Sequence, residues 1–332
     1  MVTIKDVARE ANVAISTVSN VINQVDNVSE ETKQRVLTAV DKLKYVPNHN
    51  ARSLKSSKKN TVGLFLSSIQ GDYYRKLVQA IHLQCKISGL MLNIYISNEN
   101  TSEEIYGMIL SSGVEGAIIM NESLDSEYID RIAATRMPMV FIDRNSNGKY
   151  ISSVTVDNYK GAEIAVEYLI KQGHRRIGYI HGIDSKDDKE RFQAYLDVLD
   201  KYGIAAEEDI ILKGYFEEAI AFSEMRRLFL RDVALPDAFF CANDEMAWGC
   251  IRALATAGIN VPEHISVIGF DNSLQAEYYQ PALTTIANPV EDLGMNAAQE
   301  LFRMMREEGA TDGRSIKLAP SLIVRDSCQV KI

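Results

Sequence analysis

The residues of this sequence best suited to bind a small molecule are polar and aromatic side chains that follow short apolar runs. Asp143 and Arg144 follow PMVFI, Asp271 follows VIGF and Asn243 follows FFCA. Carboxylate, guanidinium and carboxamide groups satisfy hydroxyls in pairs, and aromatic rings cover apolar C–H faces. A sugar presents both kinds of surface. The full candidate set is Ser67, Tyr73, Tyr74, Asp143, Arg144, Arg191, Phe216, Asn243, Asp271 and Asn288.

Members of this set also have purely structural interpretations. Asp271 could cap a following turn, and Asp143 with Arg144 could form a surface ion pair worth about 0–1 kcal/mol. The aromatic side chains could be ordinary core residues. The sequence leaves both interpretations open at these positions.

The elements that would position these residues follow from a regular alternation that begins at Thr61. The predicted strands are TVGLFLSS, LMLNIYIS, EGAIIM, PMVFID, RRIGYIHG, DAFFCAN and ISVIGFD. The predicted helices lie near residues 72–88, 101–112, 125–135, 159–172, 188–202, 217–230, 244–257 and 291–307. Alternating βα units predict right-handed crossovers and buried parallel sheets covered on both faces. Two series of units predict two similar lobes, with crossovers at 158–160 and near 286–291.

The first 45 residues have a different pattern, that of three short helices. Thr3 and Asp6 match a capping box, and the helix that they begin ends after barely two turns. A second helix is predicted over about Ile15–Ile22, with polar residues on its outer surface. Ser29 is a good N-cap for a third helix, whose apolar stripe is Val36, Leu37, Val40 and Leu43. A short helix, a tight turn and a short polar-faced helix form a helix-turn-helix, whose second helix enters the DNA major groove.

The charge distribution supports this division into two parts. The whole chain has a formal net charge of −9, but residues 1–60 hold ten Lys or Arg against six Asp or Glu. DNA affinity depends on the local charge that faces the phosphates, so a basic head on an acidic body agrees with DNA binding.

The sequence argues against several other classes of protein. The four cysteines have no metal-ligand spacing, which indicates reduced thiols in a cytoplasmic protein and no metal site. The start MVTIKDV lacks an export leader and no apolar run approaches the length of a membrane span, so we expect neither export nor a membrane. A phosphate-cradling Gly-rich loop and a GxSxG motif are both missing, which argues against an enzyme and a bound cofactor.

The phrases of this sequence resemble those of the lactose-repressor (LacI/GalR) family of bacterial transcription regulators. The head matches through TIKDVA, STVSNVIN, VSEETKQRV and YVPNHNARSL. The body matches through VTVDNYKGAEIAVEYLIKQGHRRIGYIHG, FFCANDEMAWGCIRALATAGINVPEHISVIGFDN and PALTTIANPVEDLG. The resemblance spans residues 2–328 and implies an all-α helix-turn-helix head followed by a two-lobed α/β body similar to type I periplasmic sugar-binding proteins, with parallel sheets.

The resemblance also implies where the parts of the chain begin and end. The helix-turn-helix domain is expected at 1–46, and a hinge helix with its linker at 47–60. The N-terminal lobe is expected at 61–158 plus 289–318, and the C-terminal lobe at 159–288 plus 319–332.

The resemblance implies that the DNA-contacting residues are Thr3, Ile15, Ser16, Thr17, Asn20, Asn48, Ala51 and Leu54. Most relatives have Arg where this chain has Asn20, and Asn pairs with adenine whereas Arg prefers guanine, which predicts an altered operator base. Ala14 also departs from the family, which usually places a capping Ser there. In the family, the hinge segment that includes Asn48 and Ala51 folds on operator DNA, and the residue matching Leu54 wedges into the minor groove.

In the body, the candidate set resembles the ribose-binding variant of the fold, with the ligand in the cleft between the lobes. The expected protein is a cytoplasmic, dimeric, ligand-responsive regulator that represses a sugar-utilisation operon and binds a pseudo-palindromic operator. A pentose or hexose is the expected effector. A purine effector and a phosphoprotein corepressor stay open as alternatives within the same family.

Overall fold

The structure is a computed structural model that describes residues 2–22, 28–45, 60–97, 101–121, 123–307, 309 and 311–331. The chain divides into two compact units, residues 1–59 and residues 60–332. Among the described residues, no helix is both long enough and apolar enough to cross a membrane.

The first unit is a three-helix bundle of α1 (Ile4–Glu10), α2 (Ile15–Ile22) and α3 (Glu30–Lys42). Its core contains one fully buried valine from each helix, Val7, Val18 and Val36. The predicted bounds of α2 are confirmed. The prediction for Leu37 was wrong, since this side chain is 44% exposed and Ala39 is buried instead. The inward face of α3 runs through positions 36, 39, 40 and 43, which follow helical spacing, and position 37 lies outside that face.

The predicted helix starts are also present. The Thr3 backbone N–H donates to Asp6 Oδ2 over 2.9 Å, and the Thr3 hydroxyl donates to the same oxygen over 2.7 Å. Ser29 Oγ accepts from the Thr32 backbone N–H at the start of α3. Helix α2 follows Ala14, whose methyl side chain cannot accept a hydrogen bond, so this helix starts without a side-chain cap at that position.

The second unit contains two six-stranded sheets, and every strand pair in the first sheet is parallel. The order of the strands in this sheet is β11, β5, β4, β3, β1 and β2. Their bounds are β1 Thr61–Leu66, β2 Met91–Ile96, β3 Gly116–Met120, β4 Met139–Ile142, β5 Ile151–Val156 and β11 Ser315–Leu318.

The second sheet has the order β12, β10, β9, β8, β6 and β7, and it is parallel except for the pair β10–β12. Its strands are β6 Ile177–His181, β7 Ile211–Lys213, β8 Ala238–Cys241, β9 Ser266–Phe270, β10 Thr284–Ala287 and β12 Ser321–Ile323. Large aromatic side chains fill the core beside this sheet, among them the fully buried Tyr179, Tyr195 and Phe240.

Helices connect the strands and cover the sheets, as the alternating pattern predicts. They are α4 Gly71–Ile87, α5 Ser102–Ser112, α6 Ser126–Ala134, α7 Asn158–Lys171, α8 Lys186–Lys201, α9 Glu218–Phe229, α10 Asp244–Thr256, α11 Gln275–Tyr278 and α12 Val290–Arg306. A 3₁₀ turn covers Glu208–Ile210.

The sheets differ from the prediction in three respects. The run LMLNIYIS was expected to be a buried strand, but β2 lies at the edge of its sheet and leaves Met91, Ile94 and Ile96 more than 40% exposed. The antiparallel β12 makes the second sheet mixed. The sequence also did not predict β5, β7, β10 and β11, although every residue of β5 is buried.

The chain passes between the sheets at three places, after β5, after β10 and between β11 and β12. Helix α7 packs into the core beside the second sheet, whereas α12 packs against the first. We call the part around the first sheet lobe 1 and the part around the second sheet lobe 2. The positions of α7 and α12 support the predicted boundaries of the lobes, which stay a prediction.

Candidate functional site

A cavity of about 390 Å³ is lined by residues of both lobes. Its walls are formed by segments that directly follow strands β1, β4, β8 and β9, and ligands of open α/β sheets bind at such carboxyl ends. Nine residues of the candidate set line this one cavity: Ser67, Tyr73, Tyr74, Asp143, Arg144, Arg191, Phe216, Asn243 and Asp271.

Asn288, the tenth candidate, does not line the cavity. Its side-chain nitrogen donates to Oδ1 of Asp271 over 3.1 Å, and Asn288 itself is buried. In this structure, Asn288 therefore orients the carboxylate of Asp271, which lines the cavity, without lining the cavity itself.

Asp143 presents a fixed carboxylate to the cavity. The Tyr73 hydroxyl donates to Asp143 Oδ2 over 2.7 Å. Burial raises the pKa of Asp143 to about 6, although the bond from Tyr73 and the charge of Arg191 act to lower it. Burial raises the pKa of Asp271 as well. Both residues have a positive φ, +56° and +111°, and such backbone strain is concentrated at functional sites.

Arg191 is a buried guanidinium with a well-defined geometry. Its Nε and Nη2 donate to Oδ1 of Asn158 over 2.9 and 2.8 Å, and Nη1 donates to the Ala242 carbonyl oxygen. The Arg191 Cζ lies 3.7 Å from the ring centroid of Phe270, a cation–π distance. Because three of its five N–H groups bond protein oxygens, at most two are left for a ligand.

Asn243 has a structural role in addition to its place at the cavity. Its Oδ1 accepts from the Met246 backbone N–H over 2.9 Å, so it is the N-cap of α10. Its amide nitrogen donates to the Phe216 carbonyl oxygen over 3.3 Å, which holds the segment that carries this aromatic ring. The cap and this bond fix the orientation of the Asn243 side chain towards the cavity.

The sequence did not single out several acidic residues that the structure places at the cavity. Asp187 lies one helical turn before Arg191 on α8 and lines the same wall. Asp244 accepts hydrogen bonds from the Ser273 backbone N–H and hydroxyl and from the Thr285 hydroxyl. Burial raises the pKa of Asp244 to about 7. The spacing of four between positions 187 and 191 was the one signal in the sequence that pairs Asp187 with a candidate residue.

Two contacts join the lobes at the cavity. Lys76 Nζ on α4 of lobe 1 donates to the carbonyl oxygen of Asn272 in lobe 2 over 3.0 Å. The Leu274 backbone N–H of lobe 2 donates to Asp72 Oδ2 of lobe 1 over 3.1 Å. These contacts keep the two walls close together.

The head presents part of its candidate set at its surface. Thr3, Ile15 and Ser16 are exposed, whereas Thr17 and Asn20 are half-buried. Ile15 begins α2 and is 41% exposed. The remaining candidates, Asn48, Ala51 and Leu54, lie outside the described residues.

The described residues contain no group of three or more His, Cys, Asp or Glu side chains arranged to hold a metal ion. All four cysteines are buried free thiols, and burial raises the pKa of Cys85 to about 11 and of Cys328 to about 12. Such thiols are poor nucleophiles, because the thiolate is the reactive form.

Comparison with known proteins gives the same two parts. Residues 3–48 match the bacterial regulatory proteins of the lacI family, and residues 166–328 match a periplasmic binding protein-like domain. The chain is 33% identical over 337 residues to the HTH-type transcriptional repressor PurR of Pasteurella multocida (strain Pm70), and the match covers 100% of both chains.

Solved structures also resemble the whole chain, among them the following two. The lac repressor dimer bound to operator and the anti-inducer ONPF has a TM-score of 0.82 and 27% identity, and the match covers 99% of each chain. The transcriptional regulator CelR in complex with cellobiose has a TM-score of 0.71 and 29% identity, and covers 98% of this chain and 100% of that one. This chain therefore belongs to the lacI family of bacterial regulatory proteins, a family of DNA-binding transcription regulators and not of enzymes.

Proposed function

We propose that this protein is a ligand-responsive repressor that binds operator DNA through its helix-turn-helix head and a small effector in the cavity of its body. The observation that carries the proposal is one cavity lined by nine candidate residues from both lobes, in a chain that also contains a helix-turn-helix. A ligand that contacts both lobes favours one arrangement of them, and this preference is what an effector needs in order to shift DNA affinity.

The effector that this cavity fits best is a sugar. Carboxylates, an amide and guanidinium groups face the cavity beside the rings of Tyr73, Tyr74 and Phe216. Such a mixture pairs with hydroxyls and covers C–H faces. The similarity to a regulator bound to cellobiose supports this choice. We therefore assign the protein to the control of a sugar-utilisation operon in the cytoplasm.

The aromatic rings would also suit a purine, which is the second candidate effector. A same-family regulator that answers to a phosphoprotein would not need a polar cavity, and the well-fixed Arg191 and Asp271 count against that alternative. We also propose that the predicted DNA-contacting residues, including Asn48, Ala51 and Leu54, bind the operator.

A homodimer on a pseudo-palindromic operator completes the proposal. The lac repressor, which resembles this chain along its length, was solved as a dimer on its operator. A two-fold axis places two heads on two half-sites of opposite direction. In this arrangement residues 47–60 connect each head to its body, and ligand-dependent movement of the lobes would change the spacing of the two connectors.

Operator affinity is expected to fall steeply with salt, because a head that neutralises phosphates releases counterions. Contacts to about six to ten phosphates reduce affinity by roughly 10³–10⁵-fold between 50 and 200 mM salt. The measurement is an equilibrium titration of the full chain against a DNA site selected from a random pool. A change of less than about threefold across this range would contradict DNA binding through phosphates.

The variant Asn20→Arg is expected to move base preference from adenine towards guanine at one base pair of each half-site. Asn pairs with N6 and N7 of adenine, whereas Arg pairs with O6 and N7 of guanine. Selection of binding sites with wild type and variant measures the change. Gln34→Arg, which adds the same charge on the exposed surface of α3, should raise affinity without changing the consensus. An unchanged consensus for Asn20→Arg means that Asn20 does not read a base.

A further inference from the structure

The cavity brings together two carboxylates from opposite lobes. Asp143 follows β4 in lobe 1, and Asp187 lies in the first turn of α8 in lobe 2. Both line the same space of about 390 Å³. The candidate set contains only one member of this pair, since Asp187 follows no predicted strand directly.

Both carboxylates are held in place. Asp143 accepts from the Tyr73 hydroxyl over 2.7 Å. Asp187 accepts from the amide nitrogen of Asn158 over 3.0 Å, and the amide oxygen of Asn158 accepts from Arg191. Burial raises the pKa of Asp187 well above its ordinary value, and the charge of Asp143 raises it further. A hydrogen-bond donor therefore fixes the orientation of each carboxylate in this structure.

The cavity as a whole has an excess of acidic groups. Three cationic side chains line it, Lys76, Arg144 and Arg191. Six acidic residues line it: Asp72, Asp143, Asp187, Asp244, Glu245 and Asp271. Lys76 pairs with the carboxylate of Asp72 over 3.4 Å, whereas Arg144 and Arg191 donate to the neutral oxygens of a backbone carbonyl and of Asn158, which occupy part of their N–H groups. Once the pH exceeds the raised pKa values, about 6 for Asp143 and about 7 for Asp244, these acidic groups outnumber the cations in charge, and a ligand with a negative charge then enters a confined space of the same sign.

We propose that this cavity selects a polyhydroxylated ligand that is uncharged or bears an amine, and rejects phosphate esters and carboxylic acids built on the same carbon skeleton, with Asp187 as the residue that sets this preference. The inference rests on the proposed function and narrows its ligand class. Hydroxyl and ammonium groups donate hydrogen bonds, so they satisfy two facing carboxylates at once, whereas a phosphate only accepts. Like charges placed together at an interface cost several kcal/mol, and we expect anionic analogues to bind at least about 100-fold more weakly.

The first test compares ligands that share a skeleton, by thermal shift of the full chain. The probes are D-glucose, D-glucosamine, D-glucose 6-phosphate and D-glucuronate, together with D-ribose and D-ribose 5-phosphate. A ligand stabilises the folded protein by an amount that grows with the logarithm of the ratio of its concentration to Kd, and the melting temperature rises accordingly. The uncharged or amine-bearing member of a set should act at a concentration at least about 100-fold lower than the anionic member. A larger shift with a phosphate or uronate overturns the inference and leaves the proposed function intact, whereas loss of operator binding overturns the function.

The second test needs no ligand and measures whether Asp187 places a costly negative charge in the cavity, which is the premise of the inference. Asp187→Asn removes one of the facing charges and keeps the shape and the hydrogen bond to Asn158. Burial raises the folded-state pKa of both carboxylates, so their ionisation destabilises the folded state. This loss of stability begins as the pH rises above the ordinary pKa of a carboxyl group and is complete above the folded-state pKa, about 6 for Asp143. The variant should therefore melt a few degrees higher than wild type at pH 8, with the gain reduced at pH 5.

The charged and titratable groups that face this pair are the same in wild type and variant, so the difference between the two proteins isolates Asp187. These groups are Tyr73, Lys186, Glu190, Arg191 and Asp271. Asp184→Asn is the matched control, because Asp184 is exposed and pairs with Lys189 on the surface. It should change the melting temperature by less than about 1 °C. A gain for Asp187→Asn that is absent at pH 8, or equal at both pH values, overturns the inference.

Discussion

Replacing Arg191 by alanine is expected to lower the melting temperature of the body by roughly 6–20 °C. Removal of one partner from a buried charge network costs about 3–5 kcal/mol, and a unit of this size loses about 2–4 °C per kcal/mol. Arg191 donates twice to Asn158, contacts the face of Phe270, and is the cation that lowers the pKa of Asp143, Asp187 and Asp271. Its loss leaves three carboxylates without their main counter-charge.

The destabilisation caused by Arg191→Ala should depend on pH in a defined direction. Without the guanidinium, the pKa values of these carboxylates rise further, so their ionisation costs more at pH 8 than at pH 5. Calorimetry at both pH values measures this difference. Arg227→Ala is the control, since Arg227 forms an exposed pair with Glu224 on α9 and should cost less than about 1 kcal/mol. If Arg191→Ala and Arg227→Ala lowered the melting temperature equally, Arg191 would not be the main counter-charge of these carboxylates.

Replacing Val36 by aspartate is expected to abolish operator binding and to leave the body folded. Val36 is fully buried in the core of a head whose other buried side chains are small, namely valine and alanine. A carboxylate there must either lose its hydration or unfold the bundle, and domains this small have little stability to spare. We expect a loss of at least about 100-fold in operator affinity, which corresponds to about 2.7 kcal/mol.

Leu37→Asp is a closely matched control for this prediction. It makes the same change of charge one position further along α3, at a side chain that is 44% exposed. The salt-dependent attraction to DNA is therefore altered equally, and only Val36→Asp disturbs the core. The melting transition of the body should be unchanged in both variants, because residues 60–332 form a separate compact unit. Operator binding by Val36→Asp within threefold of Leu37→Asp would show that the head tolerates the charge.

The features that could be predicted from the sequence are those that depend on neighbours along the chain. Helix α2 was predicted at its observed bounds, and the caps at Thr3 and Ser29 were predicted from residue type and spacing. Helix periodicity and capping are set within one or two turns, so a short stretch of sequence contains the necessary information. The alternation of strands and helices in the body was predictable for the same reason.

The exposure of β2 and the missed strand β5 have one physical cause, which is that a strand is stabilised by partners distant in sequence. The apolar residues of β2 indicate a buried strand, but only the order of the strands places it at an edge. The polar strand β5 was not predicted because Ser152 and Ser153 do not look like core residues. Their hydroxyls bond Glu300 Oε1 and Ser315 Oγ, partners that the fold brings close from about 150 residues away.

For the candidate site, too, some features follow from the sequence and others only from the fold. The sequence by itself determined that the chain joins a helix-turn-helix to an α/β body, and which residues follow the predicted strands, because residue type and local spacing define both. Only the tertiary structure decided that nine of the ten candidates share one cavity and that Asn288 instead donates a hydrogen bond to Asp271. It alone placed Asp187 opposite Asp143, because the two lobes meet only when the chain has crossed between the sheets, and no local pattern records which carboxylates then face each other.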